Sequence, residues 1–277
     1  MVLIAAVLWG TTGTAQTYIA GESSPIAVSM LRSIIGGGLL LLIVVCRKQI
    51  NWRKWQWGLT ITAALAIAAF QSLFFTSVQL TGVAVGTVVT IGSAPIFAGI
   101  IEWLFWKVQP TIVWGIATLF SIVGAFLLVS SGGETVINPL GVIVALAAGF
   151  LFALYTNISK QLMRLAQPLP AVALVFTICG LSLLPLSVTQ LEWVMLQMNG
   201  VIILYLAIFT CSIAYWLYLT GLKRISSSSA VTLSLAEPLT AAMLGVFLVG
   251  EYLSKQAWSG VSLLFSGILI LTFFTRR

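Results

Sequence analysis

The stretch SSSSAVTLSLAEPLTAAMLGVFLVGE, Ser226 to Glu251, decides how this chain is read. It is apolar at most positions, yet Glu237 and Pro238 stand side by side near its middle. A helix rising ~1.5 Å per residue puts Glu237 roughly 15 Å from either end, the midplane of a bilayer. A charge at that depth is costly, and such residues face a bundle interior or a watered cavity. Pro238 offers no N–H to the carbonyl of Ser234, a loss tolerated at membrane depth only against protein or water. Ser226 to Ser229 supply an N-capping cluster at the entry to this span.

The rest of the chain is of the same kind. Of its 277 residues, 60% are hydrophobic and 7% charged, against about 25% charged in soluble domains. The mean hydropathy is +1.12. Ten apolar segments are long enough to span: roughly 2–20, 25–46, 56–80, 82–106, 111–131, 139–163, 168–191, 199–222, 227–250 and 256–275. The expected fold is an all-α integral membrane protein of ten transmembrane helices. The first segment is too polar (Thr11, Thr12, Thr14, Gln16, Thr17), and too poor in leading basic residues, to read as a cleaved leader.

Charge placement fixes the expected topology. Arg47, Lys48, Arg53, Lys54, Lys107, Lys160, Arg164, Lys223, Arg224, Arg276 and Arg277 follow the even-numbered segments or end the chain, 11 of the 13 basic residues. Glu22, Glu134, Glu192 and Glu251 lie in the opposite connections, where Lys255 is the one basic residue. The positive-inside rule then puts both termini in the cytoplasm. The net charge of +7 is topological and calls for no nucleic acid. Trp52, Trp55, Trp57, Trp103, Trp106 and Trp114 fall near the cytoplasmic boundary, and Trp193 and Trp258 near the outer one, as interfacial tryptophans do. Trp9 and Trp216 lie deeper.

Composition excludes much chemistry. The chain has no histidine and no aspartate, which removes His-ligated metal sites and Ser-His-Asp catalysis. No enzyme constellation can be assembled, and no phosphate-binding loop supports ATP-driven transport. Cys46, Cys179 and Cys211 all sit in apolar runs and suggest no disulfide.

The two halves repeat. Trp9 matches Phe152, Pro25 matches Pro168 and Pro95 matches Pro238, each pair 143 residues apart. Further on the offset becomes 145, pairing Gly115, Leu119, Phe120 and Ser121 with Gly260, Leu264, Phe265 and Ser266. Five spans per half is an odd number, so the second half enters the membrane from the opposite side. The expected division is 1–133 and 134–277. Inverted repeats of this kind are a signature of secondary transporters, whose sites lie near the midplane between the repeats.

Glu237-Pro238, Gly245, Gly250-Glu251, Gln256, Gly260 and Gly267 together resemble the closing motif of EamA-type drug/metabolite transporters. Leu8-Trp9-Gly10, Arg32 after Pro25, and Pro95 in the middle of the fourth span fit the same pattern, so the resemblance covers the chain. It implies a secondary transporter, usually an exporter, of small metabolites such as amino acids and their derivatives. The first half departs from it: Ala94 precedes Pro95, and Lys107-Val108 stand where the second half has Gly250-Glu251. The other readings are an importer or exchanger of phosphorylated or nucleotide-linked metabolites, and a membrane interaction protein that moves nothing. The former would want several cavity cations, and Arg32 is the one found.

The candidate substrate or pathway residues are Trp9, Gln16, Arg32, Gln71, Tyr155, Trp216 and Glu237, with Pro95 and Pro238 as helix breaks or gates. Glu237 reads either as a proton-coupling or amine-binding carboxylate, or as a structural acid bonded to a hydroxyl such as that of Thr240. Arg32 suits a substrate carboxylate, but equally a carbonyl, Glu237, or an outward snorkel. Glu102 shares a face with Gly92, Pro95 and Gly99 and reads as a helix-end partner of Lys107, ahead of a place in the pathway. Trp9, Thr12 and Gln16 share one face of the first span. Phe152, Tyr155 and Ser159 share one of the sixth, and Tyr205, Ser212 and Trp216 one of the eighth with Tyr215 beside them. Lipid offers a glutamine no partner, so such faces suit a cavity. Aromatic walls there would hold a small zwitterion, or an aromatic or cationic solute by cation–π contact. No cofactor is expected beyond a proton. A lipid bilayer and a small metabolite are the expected partners, in the cytoplasmic membrane of a bacterium, and a monomer suffices.

Overall fold

The computed structural model describes residues 1–20, 23–129, 138–187, 191, 194, 199–250 and 252–274. Glu22, Glu134, Glu192, Trp193, Glu251, Arg276 and Arg277 lie outside them.

The described chain is helical, without strands. Ten apolar helices follow in order: α1 (Val2–Gln16), α2 (Pro25–Cys46), α3 (Trp57–Gly82), α4 (Val85–Trp106), α5 (Ile112–Val129), α6 (Pro139–Leu165), α7 (Pro168–Ser187), α8 (Asn199–Leu222), α9 (Ser227–Leu248) and α10 (Lys255–Phe274). All but α1 and α5 are long and apolar enough to cross a membrane. Local chemistry sets the boundaries. Pro25, Pro139 and Pro168 open α2, α6 and α7, where a missing N–H costs nothing. Asn138 caps α6 through the N–H groups of Leu140 and Gly141. Gly82, with φ 81° and ψ 161°, turns the chain between α3 and α4, a conformation open to glycine.

Helices from the two halves interleave. α2 packs along α7 and α5 along α10, while α6 lies against α3 and α4 and α1 against α8 and α9. Small residues make close crossings, as between α5 and α10. There a Cβ on Gly260 would meet Gly124 O at 2.6 Å, and one on Gly124 would meet Gly260 O at 2.7 Å. Without water to drive apolar helices together, such backbone approach is how spans associate. The outer surface carries large apolar side chains such as Leu42, Ile143, Phe247 and Phe265, all exposed, as a lipid-facing surface requires.

Two helices depart from α geometry. α9 is interrupted at Leu235, whose N–H goes to Thr232 O rather than one residue further back, three residues before Pro238. α8 contains a π-helical segment over Leu206–Ile213. By contrast α4 runs through Pro95 as continuous helix, so the expected helix break at Pro95 is not seen, and the first half's departure sits at Gly82.

Glu102 corrects another expectation. It turns inward from α4 and accepts hydrogen bonds from Ser227 N (3.0 Å), Ser228 N (3.1 Å) and Ser228 Oγ (2.8 Å) at the start of α9. Those N–H groups are helix-end donors with no intrahelical partner. Lys107, the expected partner, takes a left-handed turn (φ 56°) that ends α4. Ser226 completes the cap through Ser229 N. Trp114, expected at the interface, instead packs on Gly99 and donates to Thr232 Oγ1 at 3.1 Å.

The Gly124–Gly260 crossing predicts that Gly260→Val lowers stability by about 1–3 kcal/mol through overpacking. Gly115→Ala, where a Cβ meets nothing within 4 Å, leaves the detergent-solubilised melting temperature unchanged; equal shifts for the two would refute this crossing.

Candidate functional site

The site is built where α1 crosses α9. Trp9 sits on α1 one residue before Gly10, and a Cβ on Gly10 would lie 2.7 Å from Glu237 O and 2.6 Å from Thr240 Cβ. The glycine lets α1 rest on the backbone of α9 at its irregular point. The Trp9 indole N–H reaches across to Thr210 O at 3.0 Å, within the π-helical segment of α8. A π-turn respaces the carbonyls of a helix and is common at functional sites.

Around this crossing lies a cavity of about 600 Å³, within the range of about 300–1,000 Å³ typical of small-molecule sites. Its polar groups include Gln16, Arg32, Gln71, Ser234 and Glu237, and its aromatic wall is made of Trp9, Phe70, Phe74, Phe75, Phe152 and Tyr215. The rings pack on each other: Trp9 to Tyr215 at 4.7 Å, Phe70 to Phe152 at 5.1 Å and Phe74 to Phe75 at 5.3 Å between centroids.

The two charged side chains differ from an ordinary buried pair. Arg32 Nη2 donates to Gln71 Oε1 at 2.9 Å, and Gln71 Nε2 in turn faces Cys179 Sγ at 3.3 Å. Among the described residues Arg32 makes no further hydrogen bond. Glu237 is partly accessible from the cavity, and Arg32 is the opposite charge acting on it. No direct ion pair joins them among the described residues. The Thr240 hydroxyl, weighed above as a partner for Glu237, donates to Ala236 O at 2.9 Å instead. Carboxylate and guanidinium therefore line one cavity, each with capacity to spare.

Of the residues singled out from sequence, Trp9, Gln16, Arg32, Gln71, Glu237 and Pro238 come together on this cavity. Tyr155 lies behind its wall, fully buried, with its ring 6.2 Å from Phe152 and 6.1 Å from Tyr215. Trp216 is 40% exposed on the outer surface. The i to i+11 relation from Tyr205 to Trp216 holds for a regular α-helix, but i→i+5 bonding across Leu206–Ile213 shifts the register, and Tyr215 takes the inward place. Tyr205 bonds Thr11 at 2.8 Å and lines a separate, largely apolar groove on the other side of α1. Phe74 and Phe75 went unnoticed in the sequence, although they stand at i+3 and i+4 from Gln71 and so share its face. No group of acidic or cysteine residues that could hold a metal occurs among the described residues.

Residues 1–130 and 139–273 each match the EamA-like transporter family. The chain belongs to that family. It is 43% identical to the uncharacterized transporter YwfM of Bacillus subtilis, over 100% of this chain and 94% of the relative. It is 30% identical to the uncharacterized inner membrane transporter YicL of Salmonella typhimurium, over 100% and 95%, and 28% identical to protein PecM of Dickeya dadantii, over 98% and 91%. A solved crystal structure superposes with a TM-score of 0.86 at 18% identity, covering 100% of this chain and 96% of that one, which shows the fold. This EamA-family chain is a membrane transporter.

In a thermal-shift screen of amino acids, amines and nucleotides, a bound solute raises the melting temperature according to its occupancy. For a solute found this way, Tyr215→Ala weakens binding at least tenfold, a loss of about 1.4 kcal/mol. Trp216→Ala stays within twofold, and the reverse order would move the site off this cavity.

Proposed function

We propose that this transporter exports small zwitterionic metabolites, amino acids or their derivatives, by alternating access through the cavity around Glu237. The observation that carries this reading is the pair Arg32 and Glu237, one cation and one anion on the wall of one aromatic-lined cavity, neither used up by the protein. A solute bearing carboxylate and ammonium complements both, and its apolar part finds the faces of Trp9, Phe70 and Phe152. A single cavity arginine is a poor match to a phosphorylated solute.

The halves 1–133 and 134–277 act as inverted repeats. Helix pairing supports this: exchanging each helix with its counterpart five places on maps the α2–α7 and α5–α10 contacts onto themselves and the α4–α6 contact onto α1–α9. Such exchange symmetry underlies rocking of one repeat against the other about a fixed site. The irregular backbone at Leu235 gives α9 a place to bend. Glu237 couples the cycle to a proton, since solute and proton must each bind the inward and outward states with different affinity to drive the change. Charge placement supports cytoplasmic termini, and the resemblance to YicL, an inner membrane transporter, supports a bacterial inner membrane.

The test is flux in proteoliposomes. For a solute that the wild type moves, an imposed pH gradient drives net transport, and Glu237→Gln loses the gradient-driven part while retaining exchange at equal pH. Gradient-driven flux at the wild-type rate in the variant removes Glu237 from coupling.

A further inference from the structure

One polar side chain of the cavity is itself tied down. Gln71 lies on α3 beside Phe70, Phe74 and Phe75 and is 2% exposed, so water hardly competes for its amide. Arginine only donates, so the Gln71 carbonyl is the end that meets Arg32. Its amide N–H then faces α7, where Cys179 Sγ accepts at 3.3 Å. The Cys179 thiol in turn points to Ser33 Oγ at 3.9 Å. Cys179 and Ser33 are both fully buried. The series leaves α2 at Ser33, passes through α7 and α3, and returns to α2 at Arg32, one position from where it began.

This series fixes a side chain that would otherwise have a choice. Arg32 stands seven positions past Pro25, about 10 Å from that end of α2 by helical rise. A long basic side chain at that depth can swing its head to the aqueous boundary. The bond from Nη2 to Gln71 Oε1 holds the head at the cavity instead. The partner is also neutral. A carboxylate at position 71 would form a buried ion pair with Arg32, and a solute would have to displace a charge to reach the guanidinium. An amide takes one donor and leaves the positive charge uncompensated. The remaining N–H groups stay available to a planar acceptor with two oxygens. A site whose supporting side chains are already locked binds with less loss of freedom than one the solute must order.

We propose that Gln71 is the positioning residue of this cavity: anchored on Cys179, it holds the Arg32 guanidinium where a solute carboxylate is received, and so sets the preference for solutes that carry a carboxylate over the same solutes without one. This rests on the zwitterion reading given above, in which Arg32 meets the carboxylate. Gln71 acts through Arg32, and the Cys179 thiol acts through Gln71.

The test measures dissociation constants on the detergent-purified full-length chain. The probes are L-phenylalanine, L-leucine and L-methionine, whose apolar ends suit the aromatic wall, each beside the amine that lacks its carboxylate. Arg32→Gln weakens binding of an amino acid by roughly tenfold or more and leaves its amine within twofold. Gln71→Met, close in size but without an oxygen to accept, weakens the amino acid by roughly fivefold or more and leaves the amine within twofold. Gln71→Glu has the same selective effect by neutralising Arg32, and it carries the reading where Gln71→Met does not fold. Added to Arg32→Gln, Gln71→Met changes neither constant further, because a residue that acts through another has no effect once that one is gone. Equal weakening of amino acid and amine marks a merely structural role and overturns the inference. So does a further fivefold loss in the Arg32→Gln background, or amino-acid binding within twofold of wild type in both variants at position 71. Monodisperse elution and an unchanged melting temperature without probe are the check on folding. If the wild type binds none of the three amino acids, or Arg32→Gln binds them as the wild type does, the zwitterion reading fails and this inference falls with it.

Discussion

Hydrocarbon supplies no hydrogen-bond partners, so every irregularity of backbone in a membrane-embedded chain must be answered by protein or water. That constraint arranges this molecule. Pro238 removes a donor from α9, and the helix breaks at Leu235. The break lies against Gly10, which admits the backbone of α9 to the surface of α1. The π-segment of α8 is answered by Trp9, whose indole takes Thr210 O, and by Ser212, whose hydroxyl bonds Gly36 O and Ala207 O. The irregular stretches of α8 and α9 therefore both contact α1, beside the cavity. A regular α8 would turn Trp216 rather than Tyr215 toward the cavity.

Most of the architecture could be read from the chain because hydrophobic length and charge asymmetry are strong signals. The helices fall close to the expected apolar segments, and the acids and bases that betray topology need no tertiary knowledge. The cavity was partly readable for the same reason: Glu237, Arg32 and Gln71 are too polar for lipid and had to point inward. What failed was anything that depended on local winding. A π-segment has no compositional mark, so the register carried past it gave Trp216 in place of Tyr215. Proline was overread at position 95, where α4 stays helical, since a neighbouring span can absorb a missing donor. Glu102 was assigned to the nearest base along the sequence, whereas the unsatisfied donors that claim it are 125 and 126 positions away in the chain.

The two halves use the same plan with different contents. Pro95 and Pro238 occupy matching positions, but Ala94 precedes one and Glu237 the other. Ala94 and Glu237 both line the cavity. At this matched position the first repeat contributes a plain wall and the second a charge, and the broken helix belongs to the second. The arginine shows the same asymmetry, since Arg32 on α2 has as its counterpart across the 143-residue offset Val175 on α7, buried in the apolar core. The symmetry lies in the scaffold that rocks, and the chemistry is placed off its axis.

The ionisable groups within the spans sort by how fully the protein engages them. Glu102 accepts three hydrogen bonds from Ser227 and Ser228 at the start of α9, and Lys160 donates two, to Leu222 O at the end of α8 and to Ile225 O in the turn that follows. Arg32 spends one donor on Gln71, and Glu237 accepts nothing from the described residues. A fully engaged buried charge is stabilised where it stands and resists exchange of partners. A partly engaged one keeps a desolvation cost that a complementary ligand can relieve. The same energetic rule, that a charge removed from water seeks a partner, therefore separates groups that hold the ends of helices from groups left open for what the bundle carries.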